Sequence, residues 1–436
     1  MQDRRVVITG IGVVAPNGVN KSLFLDALKK GKTNFKKISN ASKLGLGCEY
    51  AAIPELSQEA IDNFCKKYRL VKIRSSAVIY GCMAGMEAWL DAGLEVSEKS
   101  TGEPLWNAGC IFNSSCGGVE AFAYNYKLAK AGDFKKMGGR VAQQAMNSGI
   151  SAYMGGILGL GNQVTTYASE SNSGTESIIN AYNRIKWGLG EIMLAGSTES
   201  SSEYVFGLYD TTQREDNSHT TIETKNLTSE EIAMHCFEEN APGGIYGAGA
   251  GALVLESLES AINRGAKIYA EILGTNLNSG GQRNDKGLLG LDEHSLEYCI
   301  KNTIKKAKIN PAIIDLVAGS YPSDDYCQKI EFAATRKALQ LTNKSLPYFN
   351  TTKSLIGACL AASGAIEAVA AILELNNNFI HGTPRIGDIS LDILTHLSAS
   401  KIPSKMIRKK DLSTILHVNY GVGDVYSSYI LKKWKA

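Results

Sequence analysis

The segment VTTYASESNSGTESIINAYNRIKWG, residues 164–188, decides the fold. Its first five residues, Val164 to Ala168, are rich in β-formers and predict a strand. From Gly174 to Trp187 the period changes, and Ile178, Ile179, Tyr182 and Ile185 make one apolar helical stripe. The strand runs into a short polar turn, Ser171-Asn172-Ser173-Gly174, and then the helix. Ser173 is placed to cap the helix, and Glu176 three residues later completes a capping box. Ser171 then sits just before the cap, on a sharp strand-to-helix elbow. Enzymes with a nucleophile elbow put the reactive side chain there, because the helix N-terminus favours developing negative charge.

The same alternation runs outward from this segment. Arg5-VVITGIGVVAP-Asn17-Gly18 predicts a buried strand closed by a turn, followed by a helix carrying Leu23, Phe24, Ala27 and Leu28. Glu191 to Gly196 is a strand, as is Gly243-GIYGAGAGALVLES after its turns. Glu259 to Gly265 is a helix and Lys267 to Gly274 a strand. The pattern then restarts: helix Ser295 to Ala307, strand Leu316 to Gly319, strand Pro347 to Thr351, helix Gly357 to Leu375. Thr414-ILHVNYGVGDVYSSYIL closes the chain as two strands around a glycine turn. Strands alternating with helices predict an α/β fold with a mixed or parallel sheet covered by helices. The restart predicts two similar halves, 1–260 and 261–436. Residues 207–236 are polar and without period, and predict a long surface loop.

Composition narrows the function classes. The net charge is +3, with 46 basic and 43 acidic residues, and no basic stripe suggests nucleic acid. The nine Cys have irregular spacing and no CxxC pair, which points to a reducing compartment and a cytoplasmic protein. The opening MQDRRVVITGIGVV lacks a signal-peptide layout. Ile356 to Leu375 is the most apolar stretch, but Glu367 and Glu374 within it favour a buried helix over a membrane span. No spacing of His, Cys and acids reads as a metal set. The glycine-rich segments lack the Lys-Ser/Thr of a phosphate loop, so no cofactor is expected.

Several motifs in order carry a resemblance. VVITGIGVVAPNG, Phe237-Glu238 with the Gly243 to Gly274 stretch, and Thr352-KSLIGACLAASGAIEAV resemble the β-ketoacyl synthase family over nearly the full length. The resemblance implies a thiolase-like fold, a duplicated α-β-α-β-α layering with mixed sheets. In that family a Cys at the elbow takes the acyl group, and two His help decarboxylate the malonyl extender and stabilise the enolate.

Carried over residue by residue, the family's Cys position falls on Ser171, and its His positions on Ser320 and Ala358. Lys353 is kept, and so is Glu331, eleven residues after Ser320. The C-terminal Phe-Gly-Phe-Gly-Gly turn reads Tyr420-Gly-Val422-Gly-Asp424, which puts Val422 at the oxyanion-turn position. His219, His235, His294, His381, His396 and His417 lie outside the matched motifs.

The emptied positions resemble the chain-length factor of type II polyketide synthases, although that class often has Gln at the elbow. The implied partners are a homologous ketosynthase subunit with an intact Cys-His-His site and an acyl carrier protein, whose phosphopantetheine arm is a transient ligand. Neither nucleic acid nor membrane is expected. The implied interface lies around Gly138 to Gly156 and Gln163 to Ala168, with Cys116, Gln143, Gln144, Ala145 and Met146 near the partner's acyl tunnel. Two other readings stand beside this one: a serine-dependent acyltransferase using Ser171, and a non-catalytic acyl-binding scaffold.

Overall fold

The computed structural model describes residues 4–96, 102–211, 221–228, 231–283 and 290–435. Strand β1 (Val6–Val14) is buried along all nine residues. An apolar run without alternation must be covered on both faces, which places it mid-sheet. The other strands of its sheet are β2 (Ala108–Asn113), β3 (Val164–Thr165), β4 (Ile192–Glu199), β5 (Gly249–Ser257), β6 (Ala270–Ser279), β7 (Leu316–Ala318), β8 (Tyr348–Asn350), β9 (Thr414–Gly421) and β10 (Val425–Lys433). They form one ten-stranded sheet in the order β8-β7-β9-β10-β6-β1-β5-β4-β2-β3.

Outward from the centre, one side reads β1-β5-β4-β2-β3 and the other β6-β10-β9-β7-β8. Adding five to each label of the first gives the second. The directions repeat as well: two antiparallel pairings, then two parallel ones, on each side. The sides meet where Val6, Val7 and Ile8 pair antiparallel with Ile272, Glu271 and Ala270.

Six helices matter for the site: α1 (Ser76–Asp91), α2 (Gly149–Leu158), α3 (Ser173–Lys186), α4 (Glu293–Ala307), α5 (Asp325–Leu339) and α6 (Ser363–Asn377). Helices α3 and α6 lie between the two sides, where Ile178, Ile185, Ile366 and Ile372 pack with Ile8, Leu253, Ile272 and Ile415. Helices α1 and α2 cover the outer face of the first side through Trp89 and Met154. Helices α4 and α5 cover that of the second through Ile300 and Phe332. At the α3–α6 crossing, a Cβ on Gly174 would lie 2.4 Å from the Ala365 nitrogen, and one on Gly364 2.5 Å from Thr175 Oγ1. Only glycine fits at either place.

Four expectations are corrected. The strand begun at Val164 ends at Thr165 rather than Ala168. Side chains take over from the ladder there: Thr166 Oγ1 donates to the Phe112 carbonyl at 2.8 Å, and the Tyr167 N–H donates to Asn113 Oδ1 at 2.8 Å. Ser173 does not cap α3, because a 3₁₀ turn over Glu170–Asn172 leads straight into the helix. Instead Ser173 Oγ accepts from the Ser169 N–H at 2.9 Å, and the Glu176 carboxylate accepts from the Ser169 hydroxyl, so the box clamps the elbow. Helix α6 starts at Ser363 and not Gly357, since Gly357 (φ 72) and Leu360 (φ 47) are left-handed and cannot continue a right-handed helix.

The predicted surface loop is also different where it is described. A helix spans Glu203–Asp210, and Ile222, Ile232, Met234 and Cys236 are buried. Asp210 anchors this region, accepting from the Gly47 N–H at 2.7 Å, the Cys48 N–H at 2.9 Å and Thr221 Oγ1 at 3.1 Å. Residues 212–220, with His219, and 229–230 lie outside the described residues.

Candidate functional site

The elbow is set by hydrogen bonds from both sides. Asn113, at the end of β2, donates from Nδ2 to the Ser173 carbonyl at 2.7 Å. Asn172 Oδ1 accepts from the Ser427 hydroxyl on β10. The turn between them holds Glu170 at φ 48, which swings its side chain toward Ser171. Ser171 Oγ donates to Glu170 Oε1 at 2.5 Å.

A cavity of about 120 Å³ opens over this elbow. It brings together Ser171, Ser320, Lys353, Ala358 and Val422, which sequence reading placed in separate motifs. Glu331 stands behind them, fully buried. It accepts from the Ser320 N–H and the Tyr321 N–H, each at 2.7 Å, and from the Tyr420 hydroxyl at 3.0 Å. Burial pushes its carboxyl up to about 7, against the pull of those two peptide N–H groups. Ser320 contributes its carbonyl to Thr351 Oγ1 at 2.8 Å.

Lys353 is buried and engaged. Its Nζ donates to Glu367 Oε1 at 2.5 Å, while Glu367 Oε2 lies 3.5 Å from His417 Nε2 and accepts from Asn419 Nδ2 at 3.2 Å. Burial alone would raise the Glu367 carboxyl, but Lys353 and His417 outweigh it and hold the group below its usual range. Among the described residues lining the cavity, Glu170, Asp324 and Asp424 are acidic and Lys353 is the basic one. Asp424 sits at φ 62 and is held there by the Gln282 N–H at 2.8 Å and by the Tyr426 hydroxyl.

No imidazole lines this cavity among the described residues. His381 lies outside the lining, 3.2 Å from Thr352 Oγ1, and burial pushes it down to about 4, so it is neutral at physiological pH. His235 pairs with Glu238 at 2.8 Å. Cys116 and Gln143 to Met146 lie outside the lining. Cys116 donates its N–H to Glu199 Oε1 at 3.3 Å, and burial pushes its thiol up to about 11, too high for a thiolate nucleophile. Gln144 is a brace: its Oε1 accepts from the Arg74 N–H at 2.8 Å and its Nε2 donates to the Lys72 carbonyl at 3.1 Å. Met146 is exposed.

Sequence reading missed Glu170 as the partner of Ser171. The signal was present, a carboxylate adjacent to the elbow hydroxyl, but its direction depends on a left-handed φ that no motif announces. It also missed Tyr209, which reaches the cavity from the supposed surface loop and lies 5.1 Å from the Tyr246 ring. Among the described residues, no group of three or more His, Cys, Asp and Glu could hold a metal ion, and no helix is long and apolar enough to cross a membrane.

Comparison with known families closes the question of descent. The models for the beta-ketoacyl synthase N-terminal and C-terminal domains match residues 3–261 and 269–386. The chain belongs to the beta-ketoacyl synthase family. It is 26% identical over 445 residues to the putative polyketide beta-ketoacyl synthase 1 of Streptomyces halstedii, covering 98% of each chain. It is 25% identical over 434 residues to 3-oxoacyl-[acyl-carrier-protein] synthase 1 of Haemophilus influenzae, covering 99% of each. The solved beta-ketoacyl synthase of Burkholderia phymatum superposes with a TM-score of 0.83 at 25% identity, over 99% of this chain and 100% of that one. The ishigamide ketosynthase/chain length factor superposes at 0.82 with 22% identity, over 99% and 100%. The layering of the β-ketoacyl synthase chain described above is the thiolase-like arrangement that the motifs implied.

Proposed function

We propose that this chain is a chain-length-factor-like subunit of a type II polyketide or fatty-acid ketosynthase heterodimer. One observation carries the reading. The three positions that hold a thiol and two imidazoles in active members converge on one cavity, and here they offer two hydroxyls and a methyl. Each missing donor to developing charge costs about 3 kcal/mol of transition-state stabilisation. A thioester arriving here meets no thiolate, and a malonyl carboxylate meets three acidic side chains against one basic one.

In this reading the condensation of acyl and malonyl units on acyl carrier protein occurs in a homologous partner with an intact Cys-His-His site. This chain shapes that partner's tunnel. Strand β3 supports a shared edge, because it ends the sheet and leaves Val164 exposed, an invitation to a partner strand. Exposed Met146 belongs to the same proposed contact, with Gln143 and Ala145, while Gln144 holds their short helix, Val141–Ala145, in place. The likeness to a solved ketosynthase/chain length factor points the same way.

Co-expression with a tagged, Cys-containing homologue tests this. Native mass spectrometry of the purified product should find a one-to-one complex. A stable homodimer that ignores the homologue would refute the reading.

A second reading has its own observation. The 2.5 Å hydrogen bond from Ser171 to Glu170 is the contact expected of a serine nucleophile and its base. Incubation with acyl carrier thioesters followed by intact-protein mass spectrometry decides it. An adduct that disappears in Ser171→Ala would support serine-dependent acyl transfer, and no adduct would remove it.

A further inference from the structure

Lys353 is the basic side chain among the described residues that line the cavity, and its charge is met by Glu367 Oε1 at 2.5 Å. Glu170 and Asp424 line the same space. Each is oriented by donors that carry no charge. Glu170 Oε1 accepts from the Ser171 hydroxyl at 2.5 Å. Asp424 accepts from the Gln282 N–H at 2.8 Å and from the Tyr426 hydroxyl. Neutral donors hold a carboxylate in place but leave its charge uncancelled. Asp324 also lines the cavity, and there its Oδ1 accepts from the Cys327 N–H at the head of α5, at 2.9 Å.

Ser320 is an independent sign of a ligand. It is 2% exposed. Its N–H donates to Glu331 at 2.7 Å, and its carbonyl accepts from Thr351 Oγ1 at 2.8 Å. Its side chain lines the cavity, and the hydroxyl has no protein partner among the described residues. A hydroxyl so deeply buried is ordinarily met by some polar group. Tyr209 and Tyr246 complete the wall, with ring centroids 5.1 Å apart and planes inclined at 49°. Aromatic faces attract cations. Pro322, Ala358 and Val422 add apolar surface.

The ligand this lining suits is larger than an inorganic ion. Among the described residues, no group of three or more His, Cys, Asp and Glu could hold a metal ion. A molecule that reaches both carboxylates must bring N–H donors of its own and lay carbon against the apolar wall. A primary ammonium has three such donors and no acceptor, so it matches two carboxylates and a hydroxyl. It also answers the cost of burial, since a buried cation needs both opposite charge and hydrogen bonds.

We propose that this cavity is a binding site for a small primary alkylammonium, its head held by Glu170, Asp424 and the Ser320 hydroxyl and its carbon chain laid against Ala358 and Val422. Burial pushes the Glu170 carboxyl up, as befits a carboxylate short of a counter-charge, and the ammonium supplies one. A cavity of about 120 Å³ has room for a short chain behind the head.

The site goes beyond the proposed function, because binding is measured on the chain alone, without partner or carrier protein. A failed heterodimer experiment leaves it standing, and its own failure leaves the heterodimer standing. The probe is n-butylammonium chloride, titrated into the purified chain at constant ionic strength and followed by calorimetry. Sodium n-butyrate, of similar shape and opposite charge, is the control, and potassium chloride is the inorganic competitor. Butylammonium should bind saturably, butyrate should not bind, and potassium should fail to displace the amine.

Asp424→Asn keeps an oxygen for both donors but removes the charge, and should weaken binding roughly tenfold. Ser320→Ala removes a hydroxyl that a ligand on the outer surface would not touch, and should weaken binding roughly threefold. If Asp424→Asn fails to fold, Glu170→Gln replaces it, since the amide oxygen can still accept from Ser171. Absence of saturable binding would overturn the proposal. So would butyrate binding as tightly as butylammonium, displacement by potassium, or an affinity unchanged by either substitution.

Discussion

The chain contains two elbows, and they differ in content while sharing geometry. The first reads Ser169-Glu-Ser-Asn-Ser-Gly174 and leads into α3. The second reads Cys359-Leu-Ala-Ala-Ser-Gly364 and leads into α6. Each is a 3₁₀ turn, over Glu170–Asn172 and Leu360–Ala362. Each places its first residue left-handed, at φ 48 and φ 47. Each closes with an N–H from the following serine to that residue's carbonyl. The second elbow is wholly buried, and the place that matches Ser171 is held by Ala361, which has no reactive group. The turn is therefore a framework device, needed to bring two helices together at paired glycines. A hydroxyl on it is not by itself evidence of catalysis. That difference supports reading Ser171 as a structural occupant of a position whose chemistry lies elsewhere.

The comparison can be broken or sharpened at several points. The largest effect is expected at the buried ion pair of the second half. Lys353→Met leaves the buried Glu367 without its ammonium partner and should cost about 3–5 kcal/mol, read as a drop in the urea midpoint. Adding Glu367→Gln should return much of it. Next comes the helix crossing. Gly364→Ala forces a Cβ against Thr175 and should cost about 3 kcal/mol, with Gly174→Ala close behind. If either is tolerated, the paired-glycine argument is wrong.

A smaller effect comes from pH. Burial pushes Glu199 and Glu331 up to about 7 and Glu374 up to about 8. Folded, these groups keep a proton that the unfolded chain releases near 4.5. Their contribution is complete below that pH and is lost as pH rises through 7 to 8. His381, pushed down to about 4, acts in the opposite sense, but its change is over by its ordinary value of 6.5. Between pH 6.5 and 8 stability should fall by about 2 kcal/mol, and Glu374→Gln should shrink the fall. A rise over that range would contradict the burial assigned to these groups.

The smallest effect should come from rewriting one elbow as the other. Glu170→Leu with Ser171→Ala gives the first elbow the residues of the second at those two places. The turn already accepts Leu at φ 47, so stability should change by no more than about 1 kcal/mol. A large loss would mean that the polar residues hold the turn.

Much of this was legible in the sequence. Ordered motifs gave the family, and matching them placed Ser171, Ser320, Ala358, Lys353 and Val422, which one cavity then united. What escaped was local and conformational. A left-handed φ at Glu170 or Leu360 leaves no periodic trace, so the carboxylate's direction and the true start of α6 were hidden. Ser173 and Glu176 fit a capping box by spacing, yet the 3₁₀ turn made a cap unnecessary. The polar segment after Gly207 lacks period because it is tied down by Asp210 and scattered buried residues rather than by one regular element.

The central claim is that chemistry has left this chain for a partner. Its most direct test is a condensation assay on the co-purified complex, with hexanoyl and malonyl units on acyl carrier protein. Ser171→Ala in this chain should leave product formation unchanged, while replacing the partner's elbow Cys with Ala should abolish it. Loss of product with Ser171→Ala, or product from this chain alone, would contradict the claim.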